Sequence, residues 1–416
     1  MFKKITRLIM KSTKNSNIRW LMLAVGVFTM LFAGIIYAWS ILNVPFKEVL
    51  GFDNDSLALN FTFTMSFFCL GGLITSKLEG LMGIKPTIAI AAILAGAGIA
   101  LSGLVVQSSV LVLYLTYALL GGLGIGIAYI AIISTVNAWF PDKKGLSSGA
   151  LMMGFGLSSL ILGNLASKLY ALDGFGWRKT LVVMGICLAV VVFASAFILK
   201  KPTAEYALPE AKKKAKAFSE DFEEKDYTAI EMIKRFSFWR AFVCLICITA
   251  VGSSVISFAR GLALSVGAEA ALATTLVGVL SVCNGLGRII TGAVFDYMGR
   301  RFTMIAANVL TILSAAVTLL AVSIGSLGLC IVGLCLTGLS YGSSPTIASA
   351  FVSAFYGRKN FASNLGVINL NLMCASFVAT ACSSLQTATQ GYVVPFILLL
   401  SLASVALVLN LTIKRP

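Results

Sequence analysis

The sequence contains no histidine, and only 12% of its 416 residues are charged. Without histidine, most acid–base and nucleophile-activating schemes lose their usual participant. A soluble domain normally carries about twice this share of charged residues, so the scarcity argues against a water-soluble fold. We expect that the protein is not an enzyme and that it holds no cofactor.

Cysteine is present nine times, but the residues form no recognisable disulfide or metal-binding pattern. All nine fall within apolar stretches, where cysteine packs as a small apolar side chain. Cys244 and Cys247 make a single CxxC, with neither a second pair nor a histidine to complete a metal site. We therefore expect no disulfide framework and no bound metal.

Long apolar runs are what the sequence has in abundance. Apolar residues make up 58% of the chain, and the mean hydropathy is +0.95. A helix needs about 20 apolar residues to cross about 30 Å of hydrocarbon. Twelve runs predict an all-α membrane protein with twelve transmembrane helices. Their residues are 20–42, 57–77, 86–107, 109–134, 145–168, 180–199, 241–259, 270–294, 302–322, 327–350, 361–385 and 391–412.

The basic residues predict on which side of the membrane each loop lies. Lys and Arg are enriched in cytoplasmic loops, and with the N-terminus inside, 26 of the 32 basic residues fall on that side. Both termini are therefore predicted to be cytoplasmic, in a multi-pass protein of the plasma or inner membrane. The net charge of +16 does not indicate nucleic-acid binding, because these residues flank membrane spans and form no continuous patch.

The chain divides into two halves of six predicted spans. Its segments are a cytoplasmic N-terminus (1–19), an N-terminal six-helix bundle (20–199), a cytoplasmic linker (200–240), a C-terminal six-helix bundle (241–412) and a cytoplasmic C-terminus (413–416). A shift of 216 residues aligns Gly83 with Gly299 and Gly126 with Gly342. The constant offset indicates two parallel pseudo-repeats, with the substrate expected near mid-membrane between them.

A segment between the eighth and ninth spans carries glycine and charged residues at fixed spacing. It contains Gly292, Asp296, Gly299, Arg300 and Arg301. The pattern resembles the GxxxDxxGRR loop of the major facilitator superfamily. Asp296 could pair with basic groups and helix ends across an interface that opens and closes, so we predict a gating loop. In the first half, Gly80 stands where the aspartate would be, and that loop matches the pattern poorly.

Within that superfamily, the chain resembles the oxalate/formate antiporter family, which is itself similar to monocarboxylate carriers. The resemblance is carried by residues 34–40, 122–129, 139–141, 145–149, 176–178 and 284–288. It implies the major facilitator fold and secondary transport of small organic anions. In that family the arginine corresponding to Arg288 is a substrate ligand.

Arg288 is the one basic residue that the sequence does not assign to a loop or a span end. It precedes Asp296 by eight residues, about 12 Å along a helix, which places it near the bilayer centre. A buried guanidinium is costly there and normally faces a cavity with a partner. No Asp or Glu is predicted in the interior, so a carboxylate from solution could be that partner. The alternative is that Arg288 reaches the cytoplasmic surface or is satisfied by helix carbonyls.

Further polar side chains of the spans complete the predicted substrate site. An asparagine one turn before Arg288 could donate a hydrogen bond, and three tyrosine hydroxyls could bind a carboxylate, although packing alone would also explain the tyrosines. Two asparagines of the eleventh span could contact a keto or hydroxyl oxygen, or bond neighbouring helices. These residues are Asn284, Tyr37, Tyr129, Tyr341, Asn369 and Asn371.

The predicted substrate is a small monocarboxylate of the formate, acetate, lactate or pyruvate type. The dicarboxylate carriers of the family have a lysine in the eleventh span, whereas residues 364–372 here contain no basic residue. One fixed positive charge balances one carboxylate.

The sequence leaves both exchange and proton-coupled movement open as transport modes. The alternatives are an oxalate/formate-type dicarboxylate antiporter and a non-transporting membrane sensor. The expected partners are the carboxylate and the lipid bilayer, with no nucleic acid, and a monomer is one possible state.

Overall fold

The computed structural model describes residues 2–105, 109–172, 174–203, 226–357 and 359–413. It describes the side chains of these residues except 2–17, 144, 270, 271 and 274. Within this part of the chain all regular secondary structure is helical, which confirms the predicted all-α fold.

Eleven helical segments of the described residues are long and apolar enough to cross a membrane. One of them belongs to the continuous stretch Ala270–Ile324, which is broken at Gly299 into α8 (270–298) and α9 (300–324), so the helices number twelve. The others are α1 (Ile18–Glu48), α2 (Asn54–Met82), α3 (Ile84–Ser102), α4 (Val110–Asn137), α5 (Gly145–Tyr170), α6 (Gly176–Ile198), α7 (Phe236–Ser265), α10 (Leu327–Phe355), α11 (Phe361–Thr389) and α12 (Val393–Leu411).

The helix bounds follow the predicted spans with local differences. The third span was predicted to reach residue 107, but α3 ends at Ser102 and is capped by Gly103. Helix α7 begins at Phe236, within the predicted linker. The short helix Ala229–Ile233 precedes α7 and is capped by Thr228 in a capping box with Glu231. The capping box satisfies backbone N–H groups at the start of the helix, which a hydrophobicity pattern does not reveal. Residues 204–225 of the predicted linker lie outside the described residues.

The two halves repeat the same backbone contacts. A Cβ added at Gly126 of α4 would clash with the carbonyl oxygen of Phe68 in α2, and one added at Gly342 of α10 would clash with that of Asn284 in α8. Both members of the second pair follow the first by 216 residues. Gly83 and Gly299, at equivalent turns, have φ angles of 82° and 74°, a conformation that glycine adopts without strain. Duplication therefore extends from the sequence to the helix packing.

The halves meet along two helix pairs, α5 with α8 and α2 with α11. At α5 and α8 the backbones approach closely, since a Cβ at Gly149 would lie 2.6 Å from the carbonyl oxygen of Arg288. At α2 and α11 a Cβ at Gly366 would lie 2.9 Å from the carbonyl oxygen of Gly72. We call the end of the bundle that holds the turns at Gly83 and Gly299 the linker end, because residues 199–203 and 226–235 lie there too.

Candidate functional site

Arg288 is buried midway along α8, with 1% of its surface exposed. Its Nε donates a hydrogen bond of 3.0 Å to Oδ1 of Asn284, one helical turn away. Its Nη2 has no hydrogen-bond partner, and the residue forms no ion pair within the described part of the chain. The side chain points toward the other half, where its Cζ lies 5.8 Å from the ring centroid of Tyr37. The buried guanidinium of Arg288 therefore keeps an N–H donor, at Nη2, that is free to bind a ligand.

A wall of aromatic rings from the N-terminal half stands beside the guanidinium. Phe155 of α5 lies at its centre, with ring centroids 5.1 Å from Tyr37 and 5.2 Å from Tyr129. Phe68 of α2 extends the wall, 5.1 Å from the ring of Tyr129. These edge-to-face pairs fix the rings and keep the space beside Arg288 narrow.

Two tyrosine hydroxyls meet where the halves face each other at this level. Tyr341 of α10 donates a hydrogen bond of 3.2 Å to the hydroxyl of Tyr37 in α1. The ring centroids of Tyr37 and Tyr341 lie 6.1 Å apart, and the ring of Tyr37 is the one beside Arg288. Four residues singled out from the sequence are thus brought together near Arg288. They are Asn284, Tyr37, Tyr129 and Tyr341.

The two asparagines of α11 have different surroundings. Asn371 is fully engaged, because its Oδ1 accepts from Thr249 of α7 at 3.0 Å and its Nδ2 donates to the carbonyl oxygen of Ile368. The buried Nδ2 of Asn369 has no partner among the described residues. Asn369 interrupts the helix between Phe361–Ile368 and Leu370–Thr389, and its carbonyl oxygen accepts from Sγ of Cys69 at 3.1 Å.

At the linker end, Asp296 joins α8 to the N-terminus of α5. Its two carboxylate oxygens accept hydrogen bonds of 3.1 Å from the backbone N–H groups of Gly145 and Leu146. The first N–H groups of a helix lack intrahelical partners and carry partial positive charge, so the carboxylate satisfies both needs. Gly292 permits this approach, because a Cβ there would clash with the carbonyl oxygen of Gly145.

The other residues of the predicted gating loop have separate positions. Gly299 forms the turn between α8 and α9, and Arg301 is exposed. Nη2 of Arg300 donates to the carbonyl oxygen of Ile413, and its guanidinium lies 5.1 Å from the ring of Phe355. Among the loop's charged residues, Asp296 forms hydrogen bonds to the opposite half.

The equivalent loop of the first half is held differently. Glu79, next to Gly80, accepts hydrogen bonds from Ser134 at 3.3 Å and from Lys201 at 2.6 Å, both of which belong to the N-terminal half or the start of the linker. These bonds tie α2 to α4 within one half. The two repeats therefore differ at the linker end: Asp296 bonds to the opposite half, whereas Glu79 bonds to its own half and the start of the linker.

Sequence reasoning missed two serines that bridge the same helix pair on the side of Arg288 away from the linker end. The hydroxyls of Ser159 in α5 and Ser281 in α8 are hydrogen-bonded to each other. Ser281 precedes Asn284 by three residues and Arg288 by seven, which places all three on one helix face. That spacing could have identified Ser281, whereas its partner Ser159 required the tertiary structure.

Comparison with known proteins supplies the family. The sequence pattern of the Major Facilitator Superfamily matches residues 20–380. The chain is 27% identical to an uncharacterized MFS-type transporter of Escherichia coli, YhjX, over 85% of this chain and 84% of that protein. It is also 27% identical to the oxalate:formate antiporter of Oxalobacter formigenes, over 84% of this chain and 80% of that protein. Mouse monocarboxylate transporter 12 is 28% identical over 44% of this chain and 37% of that protein.

Solved structures agree at the level of the fold. The proton:xylose symporter XylE superposes with a TM-score of 0.73 at 12% identity, covering 96% of this chain and 97% of its own. The transporter FucP in its outward conformation gives a TM-score of 0.62 at 12% identity, covering 93% and 99%. The chain therefore belongs to the Major Facilitator Superfamily and is a multi-span membrane transporter with relatives of the oxalate:formate antiporter type.

Proposed function

We propose that this transporter carries small organic anions, monocarboxylates of the formate, acetate, lactate or pyruvate type, by alternating access. The supporting observation is the buried guanidinium of Arg288, whose Nη2 lacks a partner at the interface between the halves. Burying an uncompensated charge is unfavourable, and an incoming carboxylate removes that cost while using the free donor. Tyr37, Tyr129 and Tyr341 provide hydroxyls for the remaining carboxylate oxygen lone pairs.

The surroundings of Arg288 favour one carboxylate over two. Among the described residues, the buried cationic side chains are Arg19 and Arg288, and Arg19 is paired with Asp142 at the linker end at 3.1 Å. A dicarboxylate would place a second negative charge against Phe68, Phe155 and an amide, where no second cation compensates it. The dicarboxylate alternative rests on the likeness to the oxalate:formate antiporter.

The same charge argument gives a transport cycle. With Arg288 bare, closing both ends of the path leaves an unpaired cation away from water, whereas a bound anion neutralises it and makes closure easier. This favours obligatory exchange of one anion for another. We place the protein in the plasma or inner membrane with both termini in the cytoplasm, as the distribution of basic residues predicts.

A ligand screen tests the substrate class. A bound ligand at about 100 times its Kd adds about 2.7 kcal/mol to the free energy of unfolding, so monocarboxylates should raise the melting temperature of the purified protein measurably. We expect a smaller response to oxalate and none to xylose. Counterflow of a labelled monocarboxylate into liposomes preloaded with the same acid should then be demonstrable without a pH gradient.

The outcomes of this screen separate the alternatives. Stabilisation by oxalate alone would favour the dicarboxylate antiporter. Stabilisation by monocarboxylates without any flux would favour the sensor. Equal stabilisation of wild type and Arg288→Gln would contradict the proposed site.

Asn369 and Asn371 form a matched pair for testing which amide contacts substrate. Asn369→Ala removes an amide whose Nδ2 has no protein partner, so we expect weaker substrate binding, by about 3–10-fold in KM, with little loss of stability. Asn371→Ala removes its hydrogen bonds with Thr249, which keeps Ser344 as a partner, and with the carbonyl of Ile368, and should lower thermal stability. Transport kinetics and thermal melting of both variants measure the contrast, and equal behaviour of the two would count against it.

A further inference from the structure

A small cavity lies between Arg288 and the end of the bundle opposite the linker. It is bordered by Asn284, the hydrogen-bond partner of Arg288, and by Gly156, where an added Cβ would lie 3.2 Å from Nε of Arg288. Ser40 of α1 and the Ser159 and Ser281 pair line it further out. None of its lining residues is acidic, and the cavity in this conformation holds about one water molecule.

The helix pair α5 and α8 is hydrogen-bonded on both sides of Arg288. Toward the linker end, Asp296 bonds the N-terminus of α5, eight residues or about 12 Å from Arg288. Toward the opposite end, Ser281 bonds Ser159, seven residues or about 10 Å from Arg288. The guanidinium therefore lies midway between two polar bridges made by the same two helices.

We propose that this cavity is an access vestibule that takes a carboxylate before it reaches Arg288, and that the Ser159–Ser281 hydrogen bond is its outer gate. The identity of the anion rests on the proposed function, whereas the gate does not. When the bond opens, both hydroxyls become free to donate to carboxylate oxygens, as can Ser40 nearby. The adjacent cation attracts an anion into this space and disfavours a cation.

Labelling of a thiol inside the vestibule tests the gate without any substrate. The reporter is Ser40→Cys in a Cys187→Ser background, because Cys187 is the exposed native cysteine among the described residues. In right-side-out vesicles a membrane-impermeant thiol reagent should modify position 40 whenever the gate opens. Removing the gate's hydrogen bond with Ser159→Ala should raise the labelling rate about fivefold, as expected for one net hydrogen bond.

The neighbouring serine provides a matched control. Ser158 is buried, and its hydroxyl has no hydrogen-bond partner among the described residues, so Ser158→Ala should leave the labelling rate unchanged. Ser281→Ala should reproduce the fivefold rise, and the double variant with Ser159→Ala should rise no further, because both substitutions remove one bond. Unchanged labelling in both single variants, or an equal rise with Ser158→Ala, would overturn the gate.

Protection by ligand tests the vestibule's occupant. Saturating acetate or pyruvate should slow labelling at position 40 in the reporter protein. A fivefold rise with Ser159→Ala but no protection by any carboxylate would support the gate and contradict the anion. Carboxylate counterflow with labelling that ignores both serines would leave the proposed function standing and overturn the vestibule.

Discussion

Arg288→Gln is expected to reduce monocarboxylate transport by about 30-fold or more, because losing one partner of a buried, hydrogen-bonded charge pair costs about 2–5 kcal/mol. Arg288→Lys keeps the charge but lacks the planar fork that holds both carboxylate oxygens, so it should retain intermediate activity. Initial rates of uptake into proteoliposomes, normalised to inserted protein, measure both effects.

The same variant is expected to be at least as stable to heat as the wild type. In the absence of ligand, Arg288 is a buried cation with an unpartnered Nη2, and replacing it with a neutral amide removes a desolvation cost. A purely structural arginine would show the reverse, with lower stability. The exposed Arg260 supplies the control, since Arg260→Gln should change neither transport nor melting. Full transport by Arg288→Gln would contradict the proposal.

Asp296→Ala is expected to shift the protein toward conformations that are open at the linker end. The substitution removes two hydrogen bonds from the first N–H groups of α5 to a carboxylate, and bonds to charged groups contribute about 1.5–3 kcal/mol each. The conformational equilibrium should therefore shift by about 100-fold or more. Spin labels at the exposed positions Leu81 and Phe236, in a Cys187→Ser background, should report a larger population of long distances.

Asp53 supplies the control for this experiment. Its carboxylate caps α2 at the opposite end and accepts from the backbone N–H of Ser56, a bond within one half that lowers the pKa of Asp53. Asp53→Ala should therefore leave the distance distribution between the labels unchanged. The gating assignment of Asp296 would be wrong if Asp296→Ala gave the wild-type distribution.

The sequence allowed the fold to be predicted because lipid imposes simple rules. A spanning segment must be helical and about 20 residues long, so a count of apolar runs yields the count of helices. The internal offset of 216 residues added the pseudo-repeat, and glycines such as Gly126 and Gly342 proved to be contact points in both halves. Helix ends were less predictable, because caps such as that of Thr228 depend on hydrogen bonds and not on hydrophobicity.

The sequence also singled out Arg288, since a cation in the middle of an apolar span is unfavourable in any fold of this kind. The side chains that surround Arg288 could not be predicted from the sequence. Nothing in the linear sequence distinguishes Asn369, with a free Nδ2, from Asn371, which is engaged by Thr249. The difference arises from which helix face meets a neighbour.

What the sequence alone determined was therefore the membrane environment, the twelve helices, the duplication and one buried cation. The tertiary structure decided that Ser159 meets Ser281 and that Asp296 meets the N-terminus of α5, although each pair is separated by more than 100 residues. The physical reason is that hydrophobicity acts on each segment independently, whereas a hydrogen bond exists only where two particular helix faces are brought within about 3 Å of each other.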